Sequence, residues 1–177
     1  VSAKIDSLLV KSVASAVKNA AVAVPVDLLD EGSVETAWKA VQGAKQPRLQ
    51  VCAPVSPVQM EYFSHKKPAA MLETISAMVK KCREYCAEVE FVAEDAGRGE
   101  PEFLEKAIAA AIEAGAAVVT VCDTAGTMLP DEMERSIAAI RAKTGENVRL
   151  GVMCSNELYM ADACAAAAVR AGADEVK

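Results

Sequence analysis

Apolar residues recur at three- and four-residue spacing over positions 2–18, 34–42, 69–85, 102–114, 131–143 and 158–171, each stretch keeping a charged face opposite. That period predicts six amphipathic helices. Between them lie short Val-rich runs beginning near Ala21, Arg48, Val89, Ala116, Val148 and Asp174, which read as six strands. Their steps of about 26 to 40 residues suit a strand, a helix and two loops. Two helices stop at Ala114-Gly115-Ala116 and Ala171-Gly172-Ala173, where Gly supplies the left-handed conformation that ends a helix before the next strand. These two ends are the nearest thing to an internal repeat.

Strands joined through helices run parallel, because a helical crossover returns the chain to the same end of the sheet. An open doubly wound sheet would place a Gly-rich phosphate turn after its first strand, whereas this strand runs into Val26-Asp27-Leu28-Leu29. A (β/α)8 barrel instead carries polar residues after the ends of several strands, as Ser56, Glu94, Asp123, Thr124, Ser155 and Asn156 do here. The predicted fold is therefore α/β, a TIM barrel present in part as about six βα units. Because a complete barrel takes about 250 residues, residues 1–177 are read as part of a single catalytic-type barrel domain. Two leading units and the end of the last strand are expected to lie outside them.

Composition narrows the function classes. Lys plus Arg number 19 against 25 Asp plus Glu, a net charge of −6, so no basic excess is available for a nucleic-acid backbone or an anionic membrane. The longest apolar runs fall well short of the roughly 18 residues of a membrane span. No signal-like start is present and the six Cys lack the dense spacing of a secreted disulfide scaffold, which favours free thiols and a cytoplasmic location. The single His, His65, excludes chemistry that needs two imidazoles from these residues.

Two strand ends hold the candidate chemistry. Alternation along the strand from Val89 puts Glu90, Val92 and Glu94 on one face; if that face is the barrel interior, Glu94 points into the mouth and Asp95 towards the helices. The plain alternative is a surface pair, or a turn capped with Arg98. In Asp123-Thr124-Ala125-Gly126 the hydroxyl and carboxylate either bind a substrate carboxylate or carbonyl, or cap their own turn. Cys52, Cys122 and Cys154 near strand ends raise the thought of a thiolate site, against which alternation places Cys122 and Cys154 towards different layers. Cys82 and Cys86 read as small core residues. His65-Lys66-Lys67 reads as a solvated loop or as a contact for phosphates.

Taken in order, Glu35-Thr36-Ala37-Trp38, Ser56-Pro57-Val58-Gln59-Met60-Glu61-Tyr62, Val89-Glu90-Phe91-Val92-Ala93-Glu94-Asp95-Ala96, Asp123-Thr124-Ala125-Gly126 and Ser155-Asn156-Glu157-Leu158 resemble the catalytic barrel of the 2-isopropylmalate, homocitrate and citramalate synthases. These belong with 3-hydroxy-3-methylglutaryl-CoA lyase among the metallolyase barrels. The resemblance covers nearly the whole chain. It implies a Claisen-type condensation in which the acetyl methyl of acetyl-CoA attacks the ketone of a 2-oxo acid and the thioester is then hydrolysed. It also implies a divalent Lewis-acid metal at the mouth, held by an acid on the first barrel strand and by a His-x-His. Glu94 would lie by the substrate as the catalytic residue. Thr124 would contact the substrate carboxylate, with Asp123, Ser56, Gln59, Ser155 and Asn156 as further substrate-binding residues.

The His-x-His falls on Met153-Cys154-Ser155, so a thioether and a hydroxyl, poor ligands for hard cations, replace both imidazoles. No metal ligand is therefore assigned, and the divalent metal is in doubt. A family His falls on Gln59 and a family Arg on Asp27. Three functions stay open: an acyl-CoA-dependent condensing acyltransferase with an altered metal site, a barrel kept only for binding or assembly, and a metal-independent carbon–carbon lyase or aldolase. The expected partners are a small 2-oxo acid or an acyl-CoA and further copies of the chain, as a homo-oligomer, with neither nucleic acid nor membrane.

Overall fold

A computed structural model describes residues 4–177. The elements alternate as the hydrophobic pattern predicts: α1 (Lys4–Ala16), β1 (Val22–Val26), α2 (Gly32–Val41), β2 (Pro47–Pro54), α3 (Pro57–Gln59), α4 (Pro68–Arg83), β3 (Val89–Glu94), α5 (Pro101–Glu113), β4 (Val118–Asp123), α6 (Pro130–Thr144), β5 (Arg149–Cys154), α7 (Ala161–Arg170) and β6 (Glu175–Val176). The first two residues of the predicted leading helix, Ser2 and Ala3, lie outside the described residues. Two short elements carried no periodic signal: a π-helical turn, Met60–Ser64, running on from α3, and a 3-10 turn, Ala96–Arg98. The last helix begins at Ala161 rather than at the expected Leu158, because Asn156 Oδ1 accepts from the Ala161 amide (3.2 Å) while Tyr159 takes φ 57°.

All five strand pairings are parallel and the order in the sheet is β1-β2-β3-β4-β5-β6, so each strand lies beside its successor. This is a partial (β/α)8 barrel, its strands forming an arc with the helices on the convex side. Between sheet and helices the core is apolar: Leu49, Val51, Phe91 and Leu150 meet Ile75 and Ile137, all essentially without solvent contact. Cys82 and Cys86 belong to it. Proline opens α3, α4, α5 and α6, where its missing N–H is harmless and its fixed φ suits the first turn. Among the described residues no helix is long and apolar enough to cross a membrane.

The two glycine helix ends are a structural repeat. Gly115 (φ 108°) ends α5 against the stem of Arg83 from α4, and Gly172 (φ 105°) ends α7 against the stem of Arg141 from α6. A Cβ would sit 3.1 Å from Arg83 Cγ in one case and 3.2 Å from Arg141 Cγ in the other, a crowding that a small shift of the Arg stem relieves, so it is the positive φ that calls for Gly at both sites.

The concave face is polar at its lower end. The Arg48 guanidinium donates two bonds to Glu175 on β6 (2.8 and 2.9 Å), one from Nε to Glu88 (2.7 Å) and a longer one to Glu90 (3.3 Å). Glu90 is fully buried and also accepts from Gln50 (3.0 Å), Thr120 and Lys177. Burial alone would raise its carboxyl, but the bonds from Lys177, Thr120 and Gln50 outweigh that and hold it below the usual value. The Arg48 bonds hold Glu175 at about 2, against an ordinary 4.5.

Removing one partner of such a buried set leaves charge uncompensated, so Arg48→Met is expected to cost about 3–5 kcal/mol in urea unfolding. Because the Glu175 pKa is depressed by folding, its contribution is complete above 4.5 and fades as pH falls towards about 2. In Glu175→Gln the thermal midpoint should fall less steeply across that window than in the parent protein.

Candidate functional site

Parallel βα units bring every strand's C-terminal end to one rim, and each polar strand end named by the sequence stands there. Glu94 ends β3, Asp123 ends β4, and Ser155-Asn156 follows β5. Ser56 follows β2 and Gln59 lies in α3. What the residues do at the rim differs among them.

Asp95 is the rim's central acceptor. It is fully buried, takes φ 59°, and bonds the Ser56 hydroxyl through Oδ2 and the Arg98 guanidinium through both oxygens (2.8 and 2.7 Å). Its own amide donates to Thr124 Oγ1 (2.9 Å), which ties the β3 loop to the β4 loop. The Ser56 hydroxyl also accepts from the Gln59 amide (3.3 Å), so it caps α3 while donating to Asp95. Asp123 is buried and accepts from the amides of Thr127 (3.2 Å) and Met128 (2.8 Å). Gly97 makes room for that turn: a Cβ there would lie 2.8 Å from Asp123 Oδ1. Ser56 and Asp123 thus shape the rim, and Asn156 spends its side-chain oxygen on the start of α7.

Glu94 is the contrasting case. It is half-buried, and among the described residues no side chain or amide bonds its carboxylate. Burial, with Asp95 adding like charge, pushes its carboxyl above the ordinary value. It lines a cleft of about 330 Å³ with Gln59, Thr124, Asp27, Cys52 and Phe63. Ser155 and Asn156 are on the same rim but outside this cleft. Thr124 is exposed, and since its oxygen accepts from Asp95 its hydroxyl hydrogen remains available to a ligand. A larger cleft, about 1010 Å³, lies on the other side of the helical segment 57–64. It is lined by His65, Lys66, Lys67 and Lys106 and by Met60 and Phe103.

The thiols are poorly disposed to act as thiolates. Burial pushes Cys52 and Cys122 up to about 12 and Cys154 up to about 11. Among the described residues no three His, Cys, Asp or Glu side chains are grouped as a metal cluster. Sequence reading missed Phe63 as a cleft residue, named Asp27 only as the position of a family Arg and Cys52 only as a strand-end thiol, and took Arg48 only as the start of a strand. Alternation along β2, which sets Arg48, Gln50 and Cys52 on one face, was the available signal.

An arc of six parallel strands with a half-buried carboxylate over a cleft at its C-terminal rim defines a partial TIM barrel. The HMGL-like family profile matches residues 2–177, and the chain belongs to that family. It is 40% identical over 146 residues to 2-isopropylmalate synthase of Pelotomaculum thermopropionicum, covering 81% of this chain and 29% of that protein. It is 34% identical over 174 residues to 2-isopropylmalate synthase of Clostridium kluyveri, covering 97% and 34%. The chain thus spans about a third of the length of these relatives. The fold is that of the HMG-CoA lyase from Bacillus subtilis (TM-score 0.75, 16% identity, 93% of this chain and 56% of that one). A further neighbour is the Acinetobacter baumannii HMG-CoA lyase in complex with coenzyme A and 3-methylmalate (TM-score 0.72, 13% identity, 94% and 55%).

The Asp95 node yields a direct test. Asp95→Ala leaves the buried Ser56 hydroxyl without its acceptor and should lower stability by about 1–3 kcal/mol in urea unfolding. Asp95→Asn, which keeps one acceptor oxygen, should lose less.

Proposed function

We propose that the mouth of this barrel condenses the acetyl group of acetyl-CoA with a 2-oxo acid, as an acyltransferase of the 2-isopropylmalate synthase type, with Glu94 as the general acid–base group. The observation that carries the reading is the unshared Glu94 carboxylate over the 330 Å³ cleft, raised in pKa by burial while its neighbours Asp95 and Asp123 are spent on the rim. The 2-isopropylmalate synthases among the relatives support the reaction class.

In this reading the Glu94 carboxylate takes a proton from the acetyl methyl. The resulting carbanion carbon bonds to the ketone carbon of the 2-oxo acid, whose oxygen takes the electron pair and then a proton. Water hydrolyses the thioester and the CoA thiol leaves. Thr124 and Gln59, which share the cleft with Glu94, hold the 2-oxo acid, with Asp123 and Ser56 fixing the loops that carry them. Ser155 and Asn156 complete the substrate side of the rim. His65, Lys66 and Lys67, beside the larger cleft, suit the phosphates of CoA. The catalytic chain is assigned to the cytoplasm as a homo-oligomer.

The divalent ion of the related synthases does not fit the donors present. Met153 and Ser155 offer a thioether and a neutral hydroxyl, the Cys154 thiol stays protonated, and Asp123 has both oxygens on backbone amides. Water competes well with such donors for a hard cation, so no step is routed through a metal.

Two measurements on the full-length chain test this. Thiol release from acetyl-CoA across a panel of 2-oxo acids should survive chelator and be weak with 2-oxoisovalerate and 2-oxoglutarate. Glu94→Gln should reduce it by about 10²–10⁴-fold. The base form of Glu94 is lost as pH falls through its raised pKa, so the acid limb of the rate profile should lie above the ordinary 4.5. Absence of thiol release with every 2-oxo acid, together with measurable binding of one, would favour a barrel that only binds. Separately, Met153→His with Ser155→His should raise divalent-metal affinity in calorimetry, and stoichiometric metal in the parent protein would contradict the donor argument.

A further inference from the structure

Lys177 is the one amine directed into the barrel interior among the described lysines, and the proposed condensation does not use it. Its backbone amide donates to Val152 O (2.9 Å), and the β5–β6 register pairs Val152 with Val176, which sets Lys177 beside Met153. Met153 pairs in turn with Cys122 on β4, and the β3–β4 register, Ala93 with Val121, carries the same level on to Glu94. Lys177, Met153, Cys122 and Glu94 therefore occupy one rung across the concave face. From that rung the Lys177 amine reaches down to the buried Glu90 carboxylate and to Thr120 Oγ1 (2.8 Å). An amine beside a sheltered carboxylate and a hydroxyl is the set required to add to a ketone, because the carboxylate can first accept the ammonium proton and then return it to the departing oxygen. The long flexible stem lets the amine swing towards the mouth.

We propose that Lys177 forms an iminium with the ketone of a 2-oxo acid, giving this barrel a metal-independent aldol-type activity beside the condensation. The inference rests on the reading that the mouth takes a 2-oxo acid. The Lys177 ammonium gives a proton to Glu90, and the free Nζ bonds to C2 of the 2-oxo acid while the carbonyl oxygen takes the other amine proton and becomes a hydroxyl. Glu90 returns its proton to that hydroxyl, which leaves as water, and the C2–N iminium carries the single positive charge. Glu94, on the same rung, then removes a proton from C3, and the electron pair settles as a C2–C3 double bond with neutral nitrogen. This enamine carbon either takes a proton back from Glu94 or bonds to the carbonyl carbon of an aldehyde, whose oxygen takes the electron pair and the proton held by Glu94; one water hydrolyses the regenerated iminium and frees the lysine. A positive charge on nitrogen next to C2 thus takes the place of a Lewis acid in making C3 acidic.

The experiment uses the full-length chain with pyruvate as the probe. Cyanoborohydride should fix one reduced pyruvate adduct per chain, mapped by peptide mass to Lys177, and in D2O the methyl protons of pyruvate should exchange. Both signals should vanish in Lys177→Arg, which keeps the charge and the Glu90 contact and so preserves the fold. Glu90→Gln should slow adduct formation, while Glu94→Gln should leave the adduct and abolish the exchange. No adduct on the parent protein overturns the inference, and so do adducts spread over Lys66, Lys67 and Lys106 without preference for Lys177. Thiol release from acetyl-CoA without any adduct would overturn this inference alone, whereas failure of every 2-oxo acid to bind would overturn the condensation as well.

Discussion

A guanidinium enclosed by the sheet sets the geometry of everything above it. Arg48 lies at the start of β2, yet it makes a bidentate pair with Glu175 on β6, with three strands between them. The link is a chord across the concave side of the arc, so it fixes how strongly the sheet curves. Twist alone would allow a range of curvatures. A bidentate pair with a buried guanidinium allows few, because misalignment leaves charge unpaired in a poor dielectric. Glu88 and Glu90 complete the set on the β3 side, and Arg149 joins it from β5 at 2.9 Å from Glu88. The spacing of the strand ends at the opposite rim follows from this.

On that rim two adjacent carboxylates divide the work according to which side of the strand they leave. Asp95, turning off β3 with a positive φ, is consumed by Ser56, Arg98 and, through its amide, Thr124. It joins three loops. Glu94 remains over the cleft with nothing bonded to it, and the fixed charge of Asp95 next door contributes to its raised pKa. One residue's structural commitment therefore shapes the chemistry of the other.

The alternation of period 3.6 with Val-rich runs was sufficient for element order, strand direction and the barrel, since each rests on local pattern and on crossover geometry. The inner-face position of Glu90 and Glu94 was legible for the same reason. The destination of each polar side chain was not. Asp123 and Thr124 support substrate binding and turn capping equally well in sequence, and the structure shows that the bonds of Asp123 go to its own turn. The turn Met60–Ser64 was missed because a π-helical stretch of five residues has no apolar period to display. Arg48 and Lys177 were passed over because their partners lie up to 127 residues away, and pattern within a window carries no information about such pairs.

Strand order carries a consequence for how the molecule is assembled. Every strand pairs with the one that follows it, so each loop to be closed is one βα unit long, and closure entropy is met in small increments. Such a sheet can grow by accretion from its first hairpin-like βαβ unit as synthesis proceeds. The Arg48–Glu175 contact is the exception: its acceptor is supplied 127 residues later. Until β6 arrives, Arg48 has only Glu88 and Glu90 to hold it, and the arc has no chord. The curvature of the described strands is therefore set by a contact between segments far apart in the chain, whereas their order is set by neighbours.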